Sequence, residues 1–146
     1  MEKLNVLFLC TGNSARSQMA EAILRKYGGD YFVVYSAGLE PSKVNPYAIK
    51  VLDEIGFSTE GQYSKPISKY AGRMDFDYLI TVCSSAEERC PIFPGVGTRL
   101  HWPFEDPAAF QGTDEEKTGK FREIRDQIKT RILAWLDEMD FPPESK

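Results

Sequence analysis

Short apolar runs alternating with stretches of helical periodicity restrict this chain more than any other feature. Residues 4–9, LNVLFL, are nearly continuously apolar, the pattern of a strand buried on both faces, and Thr11 and Gly12 close the run. From Ser17 onward Met19, Ala22, Ile23 and Tyr27 recur at helical spacing, up to a Gly28-Gly29 stop. YFVVYSAGL reads as a second strand ending near Gly38, and Pro46 opens a helix that closes at Gly56. FDYLITVC (76–83) reads as a third strand, SSAEERC as a turn of helix, and TRLHW (98–102) as a short fourth strand. Residues 57–73 fit neither period. A last helix carries Phe121, Ile124, Ile128, Ile132, Trp135, Leu136 and Met139 on one stripe, and Pro142-Pro143 is expected to end it.

Such alternation predicts an α/β fold, a parallel sheet with helices on both faces. With 146 residues, 42% of them hydrophobic, residues 1–146 are expected to form a single domain. No window approaches the roughly 18 apolar residues of a membrane span, and no secretion signal opens the chain, so a soluble cytoplasmic protein without a membrane partner is expected. A net charge of −4 argues against nucleic acid, and any anion must be met locally. Three cysteines, Cys10, Cys83 and Cys90, are too few and too odd in number for a disulfide framework, and intracellular thiols are kept reduced. A lone His101 offers no metal cluster, so no metal and no cofactor are expected.

Parallel strands gather the loops at their C-terminal ends on one rim, where open α/β sheets bind ligands. That rim receives Cys10, Cys83 and the loop PFEDPA. Between Cys10 and the helix lie Thr11, Gly12, Asn13, Ser14 and Ala15, small enough to wrap an anion with backbone amides, while the helix adds its positive end. Arg16 offers a planar fork suited to two oxygens of a tetrahedral oxyanion. The same surroundings favour a thiolate at Cys10, to which Ser17 is placed to donate a hydrogen bond. Asn13 tolerates the left-handed backbone such a loop needs. The loop therefore reads as an anion site with a nucleophile at its mouth.

CTGNSARS resembles the C-x5-R-S loop of the low-molecular-weight protein tyrosine phosphatase superfamily, and YSAGLEPSKVNPYAIKVL, TVCSSAEERCP and HWPFEDPA resemble its thioredoxin-coupled arsenate reductases. The resemblance covers nearly the whole chain. It implies a four-stranded parallel sheet and names Asp106 as general acid, a role that suits a carboxyl group whose neutral form is favoured beside a thiolate and an oxyanion.

A phosphomonoester hydrolase of this type needs the loop, Arg16 and Asp106 but neither Cys83 nor Cys90. An arsenate reductase needs both, because a second thiol must attack the first sulfur to send two electrons to arsenic. The resemblance thus implies a relay in which Cys10 attacks arsenate, Cys83 attacks Cys10, and Cys90 attacks Cys83. Thioredoxin is the expected electron donor, with a glutaredoxin system or a small thiol left open. Residues seven apart on an intact helix lie about 10 Å apart along its axis, beyond the roughly 7 Å Cα limit of a disulfide, so oxidation is expected to refold this segment. Ala108 and Ala109 stand where the phosphatase branch carries aromatic residues, which favours a small oxyanion such as arsenate or phosphate over a phosphorylated side chain. A monomer is expected.

The family's potassium cluster, where present, resembles Asn13, Glu21 and Ser36 with a carboxylate near position 65. Here Lys65 stands in that place. It is either a replacement for the cation or a solvated surface lysine.

Overall fold

The structure, a computed structural model, describes residues 2–90 and 93–143. Its elements run β1 (Leu4–Cys10), α1 (Arg16–Gly28), β2 (Phe32–Gly38), α2 (Pro46–Asp53), β3 (Phe76–Thr81), α3 (Ser84–Arg89), β4 (Val96–His101) and α4 (Asp114–Glu138), with single 3-10 turns at Ile67–Lys69 and Pro107–Ala109. Four parallel strands lie in the order β2-β1-β3-β4. β1 is central because it can be: Val6, Leu7, Phe8 and Leu9 are all fully buried, as only a strand apolar on both faces tolerates. β4 is an edge strand with no buried residue, three half-exposed and three exposed, so its sequence signal is faint, and it begins two residues before the expected start.

The chain leaves β1 toward β2 on one side and crosses back to β3 on the other. Right-handed crossovers therefore put α1 and α3 on opposite faces, and the strand order reverses between β1 and β3. On one face Trp135 of α4 stacks on Phe32 at 5.0 Å and meets Tyr78 and Trp102 edge-on. α2 packs against α4, where Tyr47 stacks on Phe121 and Arg125 donates to the Val51 carbonyl at 2.7 Å. The other face is closed beside α3 by an aromatic group of Tyr35, Tyr70, Phe76 and Phe93, so irregular chain does work that the helical expectation gave to helices. Fully burying each of these large side chains stabilises the fold by about 1.5–3 kcal/mol.

One helix end differs from expectation. α4 starts with a full capping box between Thr113 and Glu116, but it stops at Glu138, where Asp140 takes φ +58°, before the proline pair is reached. α1 ends at Gly28 as expected, with Gly29 right-handed at φ −62°. The unassigned stretch 57–73 holds the turn at Ile67–Lys69 and a parallel bridge from Pro66 to Gly38, which carries Ser64 and Lys65 to the end of β2. Among the described residues no helix is long and apolar enough to cross a membrane.

Candidate active site

Cys10 is the last residue of β1, and the loop from Thr11 to Ala15 turns there into α1. All six carbonyls from Cys10 to Ala15 are occupied from outside the loop. Leu39, Glu40, Ser42 and Asn45 amides donate to Cys10, Thr11, Gly12 and Ser14, Met19 donates to Ala15, and Gln18 and Ser64 side chains donate to Asn13. Among the described residues no main-chain amide from Thr11 to Arg16 is spent on a protein acceptor, and α1 has no side-chain cap. Carbonyls turned out and amides left over make a backbone nest for an anion, reinforced by the positive end of α1.

Asn13, fully buried at φ +48°, is the keystone. Its Oδ1 accepts the Lys65 amide at 2.9 Å, which fixes its orientation, and its Nδ2 donates to Ser17 Oγ at 2.8 Å and Ser36 Oγ at 2.9 Å. Ser17 therefore spends its single proton elsewhere, and Cys10 Sγ lies 2.9 Å away to receive it. Ser36 likewise donates to Glu21 Oε1 at 2.5 Å. Gly38, at the end of β2, belongs to this packing as well: a Cβ there would stand 2.7 Å from the Thr11 carbonyl and 2.8 Å from the Asn13 nitrogen.

Arg16 is anchored across the rim. Its Nη1 donates to the Phe104 carbonyl at 3.0 Å, and its Nη2 lies 3.7 Å from Asp106 Oδ2. Asp106 is half-exposed, and its Oδ1 accepts the Ala108 amide at 2.9 Å, which caps the 3-10 turn and aims the carboxyl at the loop. From β3, Cys83 reaches the same place, with its Sγ 3.5 Å from Thr11 Oγ1 and accepting the Ala86 amide at 3.4 Å as the N-cap of α3. Cys90 ends that helix. All three thiols are free and buried. Burial pushes the Cys90 thiol up, and the charge and hydrogen bond of Arg99 offset this only in part.

Lys65 is buried, which removes the solvated-lysine alternative. Its ammonium donates to the Tyr63 carbonyl at 2.5 Å, sits over the Tyr63 ring and lies 3.9 Å from Glu21 Oε1, while Arg25 pairs with the same carboxylate. Burial pulls the Lys65 ammonium below the usual lysine range against the pull of Glu21. The Lys65 amine thus lies against Glu21, where the resemblance places a cation. Among the described residues no cluster of three or more His, Cys, Asp or Glu could hold a metal.

The structure brings Cys10, Thr11, Gly12, Asn13, Ser14, Ala15, Arg16, Ser17, Cys83 and Asp106 to one rim, with Cys90 at the far end of α3. Sequence reading missed Gln18, Ser64, Gly38 and the Phe104 carbonyl. Gln18 carried a faint signal, a polar residue beside the apolar stripe of α1; a carbonyl carries none.

Residues 5–142 match the low molecular weight phosphotyrosine protein phosphatase family, and the chain belongs to it. Within that family its likenesses are specific. The arsenate reductase of Halalkalibacterium halodurans is 48% identical over 137 residues, covering 94% of this chain and 98% of that one. A solved arsenate reductase in its phosphate binding state superposes with TM-score 0.78 at 34% identity, covering 94% of this chain and 98% of the other. The thioredoxin-dependent arsenate reductase of Corynebacterium glutamicum gives TM-score 0.71 at 30% identity, covering 94% of this chain and 62% of that one.

Proposed function

We propose that this chain is an arsenate reductase that passes its oxidation through three thiols to thioredoxin. One observation carries the reading: besides the nucleophile of the anion loop, two more free cysteines bracket α3, and the first of them touches Thr11 of that loop. Phosphate-ester hydrolysis has no use for them. The relatives that carry the name arsenate reductase support the same choice.

In this mechanism the loop amides and Arg16 bind the oxyanion, and the Cys10 thiolate attacks arsenic. Asp106 gives a proton to the departing oxygen, which leaves as water. Cys83 then attacks Cys10 Sγ. A sulfur–sulfur bond forms, the sulfur–arsenic electron pair passes to arsenic, and arsenite leaves. Cys90 attacks Cys83 in turn and releases Cys10, and thioredoxin reduces the Cys83–Cys90 disulfide by the same exchange. A relay that starts from three reduced thiols fits the cytoplasm.

The test is arsenate-dependent NADPH consumption with thioredoxin and its reductase, set beside hydrolysis of a small aryl phosphate. Cys10→Ser should abolish both. Cys83→Ser should stop arsenate turnover and leave the hydrolysis within about twofold, because loop and acid are untouched. Arsenate turnover that survives Cys83→Ser would overturn the relay.

A further inference from the structure

The relay has one step that the folded structure opposes. α3 is intact between Cys83 and Cys90, with the Cys90 amide bonded to the Ala86 carbonyl at 3.1 Å, and a coiled segment of that length holds its ends too far apart for a disulfide. Two turns of helix have little stability of their own, so tertiary ties must keep α3 coiled. One tie is the Cys83 cap. It is lost as soon as Cys83 Sγ turns to Cys10, because the sulfur that accepts the Ala86 amide is then bonded elsewhere.

A second tie lies at the C-terminal half. Arg99, on β4, donates from Nε and Nη2 to Glu87 Oε1 at 3.2 and 3.1 Å, and from Nη2 to the Glu87 main-chain carbonyl at 3.0 Å. That carbonyl is among the last four of the helix and has no intrahelical partner, so the guanidinium caps it while pairing with the side chain. Glu87 is held from a second strand as well, since Thr81 of β3 donates to Oε1 at 2.9 Å, and Thr81 lies 2.7 Å from His101 Nδ1. Burial alone would raise the Glu87 carboxyl, but the bonds from Thr81 and Arg99 outweigh it and hold it below the usual range. The other ion pair of α3, Arg89 with Glu40 at 2.6 Å, joins two exposed side chains and counts for less.

We propose that Arg99 is a positioning residue for the hand-over from the Cys10–Cys83 to the Cys83–Cys90 disulfide. Gripping Glu87 by side chain and carbonyl at once, it keeps α3 coiled, and its release sets the rate of that step. This rests on the relay proposed above. In the hand-over Cys90 gives up its proton to solvent and attacks Cys83 Sγ; the Cys10–Cys83 bond breaks, Cys10 leaves as thiolate and the Cys83–Cys90 bond forms, with no net change in oxidation.

The experiment has two arms on the full-length protein. In single turnover with arsenate, the two disulfides are followed by peptide mass spectrometry. In the reduced protein without arsenate, hydrogen exchange of the α3 amides is timed, because Arg99 and Glu87 also act directly on the Cys90 thiol and would change its alkylation without any opening. Glu87→Gln removes the ion pair, and Arg99→Lys keeps the charge but loses the fork. Both should hand over and exchange the α3 amides about three- to tenfold faster, while the first disulfide and aryl phosphate hydrolysis stay within about twofold. Arg89→Gln, the control, should change each within about twofold. A hand-over as slow as in the parent, full retention of the latch in Arg99→Lys, or a uniform change in every rate would overturn the proposal. If the parent forms no disulfide with arsenate, the relay fails, and the exchange arm alone decides: faster α3 amide exchange in both variants upholds the grip of Arg99 on α3, and unchanged exchange removes it.

Discussion

The anion loop and α3 hold cysteines of one site by opposite means. Around Cys10 every carbonyl from Cys10 to Ala15 is bonded outward, Asn13 is fully buried, and neighbours from β2, the following loop and residues 64–65 close on it. α3 contributes one fully buried apolar side chain, Ala86, and is held at its C-terminal half mainly by Arg99, through the carboxylate and the main-chain carbonyl of Glu87. A nucleophile that must meet a small oxyanion at fixed geometry gains from rigidity, since displacement by about 1 Å can cost on the order of 100-fold in rate. Thiols that must come together only after another bond has formed gain from a segment that opens locally at small free-energy cost.

Breaking the rigid side should have the largest effect. Gly38→Ala drives a Cβ into the Thr11 carbonyl and the Asn13 nitrogen, so the loop must shift. We expect about 100-fold loss of both arsenate reduction and aryl phosphate hydrolysis, with about 1–3 kcal/mol of stability lost, measured by kinetics and urea unfolding. Breaking the yielding side should look different. Glu88→Pro removes an amide and crowds a carbonyl inside α3, which costs a helix about 3 kcal/mol, and that cost should stay local: Cys90 alkylation rises at least about tenfold while aryl phosphate hydrolysis holds within about twofold. Loss of hydrolysis in this variant would mean the two regions are not separable.

The buried cation sharpens the comparison. With Lys65 in place, arsenate affinity should not respond to potassium. Lys65→Ala leaves the Glu21 side of the loop short of positive charge, and KM should rise about three- to tenfold and be partly restored by potassium, read by titrating arsenate with and without the ion. The smallest effect should come from Tyr70, which packs against Tyr35 and Phe76. Burial first, and then nearby Tyr63, Glu21 and Tyr35, push its phenol up to about 12. The neutral form is thus favoured on folding, so its contribution is whole below the ordinary phenol value near 10 and is lost as pH rises from there through 12. Tyr70→Phe should delete the last phenolate step in an ultraviolet titration and flatten the fall in stability over that window.

Much of this is legible in the sequence, for local reasons. β1, α1 and α4 announce themselves because each buries a face whose period is written in consecutive residues. The loop from Cys10 to Ser17 is read as an anion site because nucleophile, small residues and arginine are contiguous. β4 and the stretch 57–73 were weak or blank because their burial comes from partners distant in the chain: Pro66 bridges to Gly38, and Tyr70 packs on Tyr35 and Phe76. The sequence points to the proline pair rather than to the true stop of α4 because a left-handed Asp140 leaves less trace than two prolines.

By itself, then, the sequence settled the alternation of strand and helix, the family loop, and the presence of two thiols beyond the one a hydrolase requires. Tertiary structure alone decided that Lys65 is buried against Glu21, that the Phe104 carbonyl anchors Arg16, and that Arg99 and Thr81 from two strands converge on Glu87. The reason is physical. Periodicity and contiguous motifs are properties of neighbours along the chain, whereas a charge, a carbonyl or a hydroxyl acquires its role from what folding sets within about 3 Å of it.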